Sequence, residues 1–327
     1  MGDVATDEGY TDDRLESAVK MKKAARSLLA TLLVGAALAV LLWFGDIHKV
    51  LAQIARFQRG YLLWFLLVLA AYEVVRGLLW YVLLRTLTVR APPRTRTFAF
   101  AAGEAAKFLP TGAYLQNYML QRFADIDFVR SSAATTWMIL AEILVALLGV
   151  VVFGVGGWSG PLRLVMVIGM AAGIWAVRVY LTRAHGTPRS EWAARNKALS
   201  KALDGIRRFR EGAAALSRPR VMGITLLLTL AYVILAGAGL YIVVRGLGIT
   251  QVSFWQAVAV NCFGLAFYVI LGSLEAAEVG AFIGIGMNKS AAVSAILVAR
   301  GLSVGGTLVM AVLVLAVLHD EWRPMHS

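Results

Sequence analysis

Long apolar runs alternate along this chain with short polar connections, a pattern that predicts membrane-crossing helices. A span needs about 20 consecutive apolar residues. Ser27–Phe44 falls slightly short, whereas Tyr61–Leu84, Ala133–Gly157, Pro161–Leu181, Val221–Val244, Phe254–Leu271 and Ala291–Leu318 meet the requirement. The expected architecture is an all-α polytopic membrane bundle with about seven full spans. The first run follows a polar leader, 1–26, and lacks a small-x-small cleavage site, so it reads as an anchor, not a signal peptide.

Two stretches break this pattern: Gly103–Tyr118 and Leu271–Lys289 carry charges, glycines and a proline between apolar runs. Irregular, charged backbone persists at membrane depth only where protein or a watery cavity surrounds it. Both are therefore expected to be re-entrant or broken segments, within 98–120 and 271–290. The first lies in a membrane half covering 27–181 and the second in a half covering 221–318, ahead of a tail, 319–327. The likeness of the halves is one of texture, and it suggests an internal repeat of the kind transporters use to frame a midplane site.

Composition agrees, with 59% hydrophobic and 16% charged residues, and the net charge of +13 is unevenly placed. Basic residues gather in the leader, in Arg85–Thr97 and in the loop Thr182–Arg220, which holds ten Lys or Arg against three acids. All three fall on one side if the amino terminus is cytoplasmic, as the enrichment of cytoplasmic loops in Lys and Arg requires. Membrane insertion thus accounts for the basicity, and nucleic acid is not an expected partner. Within 182–220, Trp192, Leu199, Leu203, Ile206, Phe209, Ala213 and Leu216 recur at helical spacing with Lys197, Lys201, Arg207, Arg208 and Arg210 between them. That predicts an amphipathic helix on an anionic leaflet, linking the halves or docking other membrane subunits.

Ionisable residues at membrane depth cost about 2.5–3.5 kcal/mol each on insertion scales, which makes them functional candidates. They are Glu73, Arg76, Glu104, Lys107, Glu142, Glu275, Glu278 and Arg300. Glu73 with Arg76, and Glu104 with Lys107, stand three apart and are expected to neutralise one another along a helix face. Lys107 lies beside the helix-breaking Pro110-x-Gly112, and Arg300 follows the second broken segment. Two such cations suit an oxyanion such as phosphate. Glu275, Glu278 and Glu142 would balance them or carry a proton, and Gln116, Asn117 and Tyr118 would add neutral donors.

Catalytic chemistry finds little footing. Cys262 is alone in an apolar run, His48, His185, His319 and His326 are scattered, and no GxxxxGK[ST] occurs. The chain is read as a non-enzyme that uses no cofactor and no metal.

The broken segments resemble those of the flippase-like membrane region of lysylphosphatidylglycerol synthases and its stand-alone relatives. That family carries a Pro, small residues, Gly-Glu and an Arg after the second span, then a Pro-Gly-Gly-x-Gly-x-x-Glu turn followed by a small-residue helix containing Arg. Here Leu109-Pro110-Thr111-Gly112-Ala113-Tyr114-Leu115-Gln116-Asn117-Tyr118 stands for the first and Leu271-Gly272-Ser273-Leu274-Glu275-Ala276-Ala277-Glu278 for the second. Glu278 and Arg300 match the family glutamate and arginine. Tyr114 and Leu115 replace Gly-Glu, Tyr118 replaces the first Arg and Leu271 the Pro, so the first motif has lost its charges.

What the resemblance implies is an integral membrane lipid transporter that handles anionic or polar headgroups, in a bacterial inner membrane. Lysyl transfer, the task of a separate domain in fused relatives, is not expected of this stretch of chain. The alternative is a non-catalytic accessory or assembly subunit of a larger membrane complex.

Overall fold

The computed structural model describes residues 55–107, 112–153, 197–271 and 274–318, with the isolated residues 52 and 168. The expected spans Ser27–Phe44 and Pro161–Leu181, together with Pro110 and Gly272, lie outside them. Described residues form nine α-helices and no strand: α1 (Gly60–Thr86), α2 (Pro93–Ala106), α3 (Leu115–Ala124), α4 (Phe128–Phe153), α5 (Lys197–Leu216), α6 (Pro219–Gly246), α7 (Phe254–Leu271), α8 (Leu274–Gly284) and α9 (Lys289–Val317). Among them α1, α4, α6 and α9 are long and apolar enough to cross a membrane. At 1.5 Å per residue each is about 40 Å long, more than the ~30 Å of hydrocarbon. Their outer faces bear exposed Leu63, Trp64, Val74, Leu227, Val312 and Val317, as lipid contact demands.

The direction of each helix follows from its end contacts. Gln58 N–H donates to Gly246 O at 2.8 Å, so α1 begins where α6 ends. Phe153 stacks on Trp255 with centroids 5.1 Å apart, which brings the end of α4 and the start of α7 to that same end. At the opposite end, Arg130 donates to Thr88 at 2.7 Å and Gly212 of α5 abuts Leu87 and Ala133. Arg85, Arg90, Arg94 and Arg96 therefore share one end of the bundle with α5. We call it the basic end.

Between α1 and α4, helices α2 and α3 enter from the basic end and return to it. Pro93 opens α2 from its first turn, where its missing N–H costs nothing. Asp125 closes α3 in the left-handed conformation at φ 50°. At about 21 and 15 Å neither helix can cross the bilayer, so together they make a re-entrant hairpin. Its tip packs tightly, since a Cβ on Gly103 would come within 2.7 Å of Gln116 Cβ and one on Gly112 would collide with the Ala106 carbonyl.

Helices α7 and α8 form the counterpart from the other end. A Cβ on Gly264 would meet Glu278 Cγ at 2.5 Å and Leu274 Cδ1 at 2.8 Å, the contacts of an antiparallel pair. The chain then turns at Gly286, with φ +93°, and α9 starts under an Asn288 cap that accepts from Ala291 N–H at 3.0 Å. Long helix, hairpin, long helix thus occurs twice, and the second copy runs in the opposite sense. This is the arrangement of an inverted repeat.

Two apolar clusters hold the bundle. One joins α1, α6, α7, α8 and α9 around Val243, Val260, Phe282 and Ile296; the other joins α1 to α7 around Trp80, Leu120, Met138 and Val258. The amphipathic helix forms as expected, but its carboxyl half docks on protein instead of lying free on a leaflet. Ala213 and Leu216 are buried, and Arg208 reaches Asp127 at 2.7 Å. Close helix crossings rest on glycine, as where a Cβ on Gly237 would lie 2.6 Å from Val258 Cα. Gly237→Ala is expected to cost ~1–3 kcal/mol by overpacking. Gly223→Ala, with nothing within 4 Å of the new methyl, should be neutral or gain up to ~1 kcal/mol in helix propensity. Thermal unfolding of the two variants in detergent checks the contrast.

Candidate functional site

The first hairpin tip carries Lys107, one residue past the end of α2. Its Nζ donates to Glu104 Oε2 at 2.7 Å and to Glu73 Oε1 at 3.0 Å, and it lies 5.2 Å from the Tyr72 ring. Arg76 donates to Glu104 Oε2 at 3.3 Å and to Tyr72 OH at 2.9 Å. Glu73 also accepts from Thr307 Oγ1 of α9 at 3.0 Å. Glu104 and Lys107 pair along one helix as expected. Glu73 and Arg76 instead reach across to α2, because Lys107 and Glu104 are brought against α1 by the hairpin. Both tip charges are thereby neutralised from a neighbouring helix, the condition for keeping ions at this depth.

The second tip carries the opposite charge. Glu278, almost fully buried in α8, accepts from Arg300 NH2 at 2.8 Å, and Glu275 lies 3.4 Å from Arg300 Nε. Glu275 and Arg300 are each about one-third exposed, with side-chain accessibilities of 35% and 30%. Arg300 is the more accessible cation, since Lys107 retains 16%.

A cavity of about 130 Å³ lies between the tips. Lys107, Glu142, Glu278 and Arg300 are its charged lining residues, with Tyr72, Tyr232, Asn261, Ser303 and Thr307 polar and Phe65, Leu69, Leu240 and Leu265 apolar. Tyr72 and Tyr232 meet edge to face across it, with centroids 5.6 Å apart. A pocket lined by both ionic and apolar side chains fits an amphiphile better than a free ion.

Of the residues expected in the site, Lys107, Glu142, Glu278 and Arg300 line this cavity, and Glu275 stands behind Arg300. Gln116 and Asn117 do not line it. They are buried against Thr135, whose Oγ1 accepts from Gln116 Nε2 at 2.7 Å and from Asn117 Nδ2 at 2.8 Å. Their donors tie α3 to α4. Tyr118 is half exposed elsewhere on α3, Gly112 serves the tight turn, and Pro110 lies outside the described residues. Tyr72, Tyr232, Asn261, Ser303 and Thr307 were not singled out in the sequence. Their signal is a polar atom inside an apolar run, which in a single sequence looks the same as a hydroxyl bonded to its own helix.

Removing Arg76 alone should leave buried Glu104 with Lys107 as its remaining partner and cost ~1.5–3 kcal/mol for the lost charge-assisted hydrogen bond. The double variant Arg76→Met/Glu104→Gln should lose less than the sum of its singles, read from denaturation of all three. Thr135→Val, which keeps the shape but removes the acceptor, should cost ~1–3 kcal/mol by leaving the Gln116 and Asn117 donors unmet.

No curated protein and no solved structure matches the chain. A family does match, under the description Lysylphosphatidylglycerol synthase TM region, over residues 27–311, the greater part of the sequence. With its helices embedded in a membrane and its two broken segments folded as hairpins, this protein belongs to the family of the lysylphosphatidylglycerol synthase TM region.

Proposed function

We propose that the protein shelters a polar, phosphate-bearing lipid headgroup in the cavity between the hairpin tips and passes it between leaflets, making and breaking no covalent bond. The observation that carries this reading is the mixed lining of the cavity, with Lys107, Glu142, Glu278 and Arg300 charged and Phe65, Leu69, Leu240 and Leu265 apolar. Arg300 is the cation best suited to receive a phosphate. Its contact with Glu275 is long and partly exposed, so Glu275 can swing aside while Glu278 remains as the buried partner. The amino-terminal end of α8, at the wall residue Leu274, adds a favourable dipole for an anion. Acyl chains would stay in lipid against the apolar outer faces.

Movement between leaflets requires the cavity to open to either side in turn, and the inverted hairpins offer two related gates. We place the basic end in the cytoplasm of a bacterial inner membrane, following the distribution of Lys and Arg. Purified protein in liposomes should accelerate leaflet exchange of fluorescent phospholipids, and Arg300→Met should slow it more than about tenfold, equivalent to ~1.4 kcal/mol on the barrier. Protein that elutes intact yet gives no exchange would point to the accessory role in a larger membrane complex.

A further inference from the structure

The ions around the cavity do not balance. Among the described residues, Glu73, Glu104, Glu142, Glu275 and Glu278 oppose Arg76, Lys107 and Arg300. Four of the five carboxylates make an ion pair with one of those cations. Glu142, which lines the cavity from α4, makes neither an ion pair nor a hydrogen bond among the described residues. Arg76 and Lys107 attract negative charge there and Glu104 repels it, while the phenols of Tyr72 and Tyr232 face it. Glu278 and Arg300, the remaining charges on the cavity wall, are spent on each other.

A second observation lies on α6. Thr225, Thr229 and Tyr232 stand at i, i+4 and i+7 and are at most 1% exposed, yet none of their hydroxyls has a hydrogen-bond partner among the described residues. Tyr232 OH faces Thr229 without reaching hydrogen-bond geometry. Tyr232 lines the cavity, and the row runs from it toward the basic end, where α6 begins beside α5. Its length is about 10 Å along the helix. Buried hydroxyls without partners are places that bridging water fills, and a chain of hydroxyls and water conducts protons.

We propose that Glu142 is the proton-binding site of the transport cycle and that the Thr225, Thr229 and Tyr232 hydroxyls form its route to the basic end. The step is a proton exchange only: a water-borne proton passes along the hydroxyls to a Glu142 carboxylate oxygen, and the reverse transfer returns it. The neutral acid then tolerates a phosphate at Arg300, and the carboxylate repels one, so loading of proton and headgroup are coupled. This rests on the lipid reading above for its purpose, not for the existence of the proton site.

The test uses the full chain in liposomes. Infrared difference spectra between acidic and alkaline buffer should show a protonated-carboxyl stretch that Glu142→Gln removes. After a pH jump, Thr229→Val should delay that band several-fold. Leaflet exchange by the wild-type protein should vary with pH, and Glu142→Gln should flatten the dependence whatever its absolute rate. The band surviving in Glu142→Gln overturns the assignment, as does wild-type exchange that ignores pH. A response to sodium at fixed pH would overturn it too, by giving the carboxylate to a metal cation. If exchange is absent altogether while the Glu142 band titrates, the lipid reading fails and the proton site stands.

Discussion

A helix that stops inside a bilayer leaves carbonyl and amide groups that lipid cannot satisfy, and the rest of this structure answers that constraint. Both re-entrant hairpins end near the middle of the bundle, one from each side. Their tips can lie there only because the long helices α1, α4, α6 and α9 pack around them and because each tip charge is met by a partner. Lys107 is held by Glu73 and Glu104, and Glu278 by Arg300. The cavity is the space left where two interrupted backbones approach.

The tips have opposite sign, yet they are not paired with each other. Every ion pair at the first tip lies within α1 and α2, and every one at the second within α8 and α9. Each hairpin is thus neutralised by a long helix of its own half. Among the described residues, the halves meet at this level in the hydrogen bond from Thr307 to Glu73. Separating the tips would break that bond and apolar packing while leaving the ion pairs named above intact within each half, and rupture of a buried ion pair is the expensive event.

Long helices were legible in the sequence because period and length decide them: α1, α4, α6 and α9 differ by a few residues at their ends, whereas Phe254–Leu271 has the expected bounds but forms one arm of the second hairpin instead of the full span its length suggested. The broken segments were legible for the same reason in reverse, since charge and glycine interrupt an otherwise continuous run. Partner choice was not. Glu73 and Arg76 look like an i, i+3 pair, but the angle at which the first hairpin returns sets Arg76 against Glu104, a fact of tertiary geometry. Gln116 and Asn117 misled for a related reason: a polar residue beside a helix break reads as a cavity donor until the neighbouring helix, here with Thr135, is in place.

Loss of the charged Gly-Glu and Arg positions from the first motif also takes on a different meaning. Tyr114, standing where that Gly-Glu is expected, shares a 2.9 Å hydrogen bond with Thr136, and Tyr118 faces outward. The first half has not lost its ions. It places them eleven residues earlier in the chain, at Glu104 and Lys107 in place of Leu115 and Tyr118, and draws counter-charges from Glu73 and Arg76 on α1. A motif scored by position would call this site empty. The balance of charge in space shows a site that is more fully paired than the motif implies, with Glu142 as the group left over.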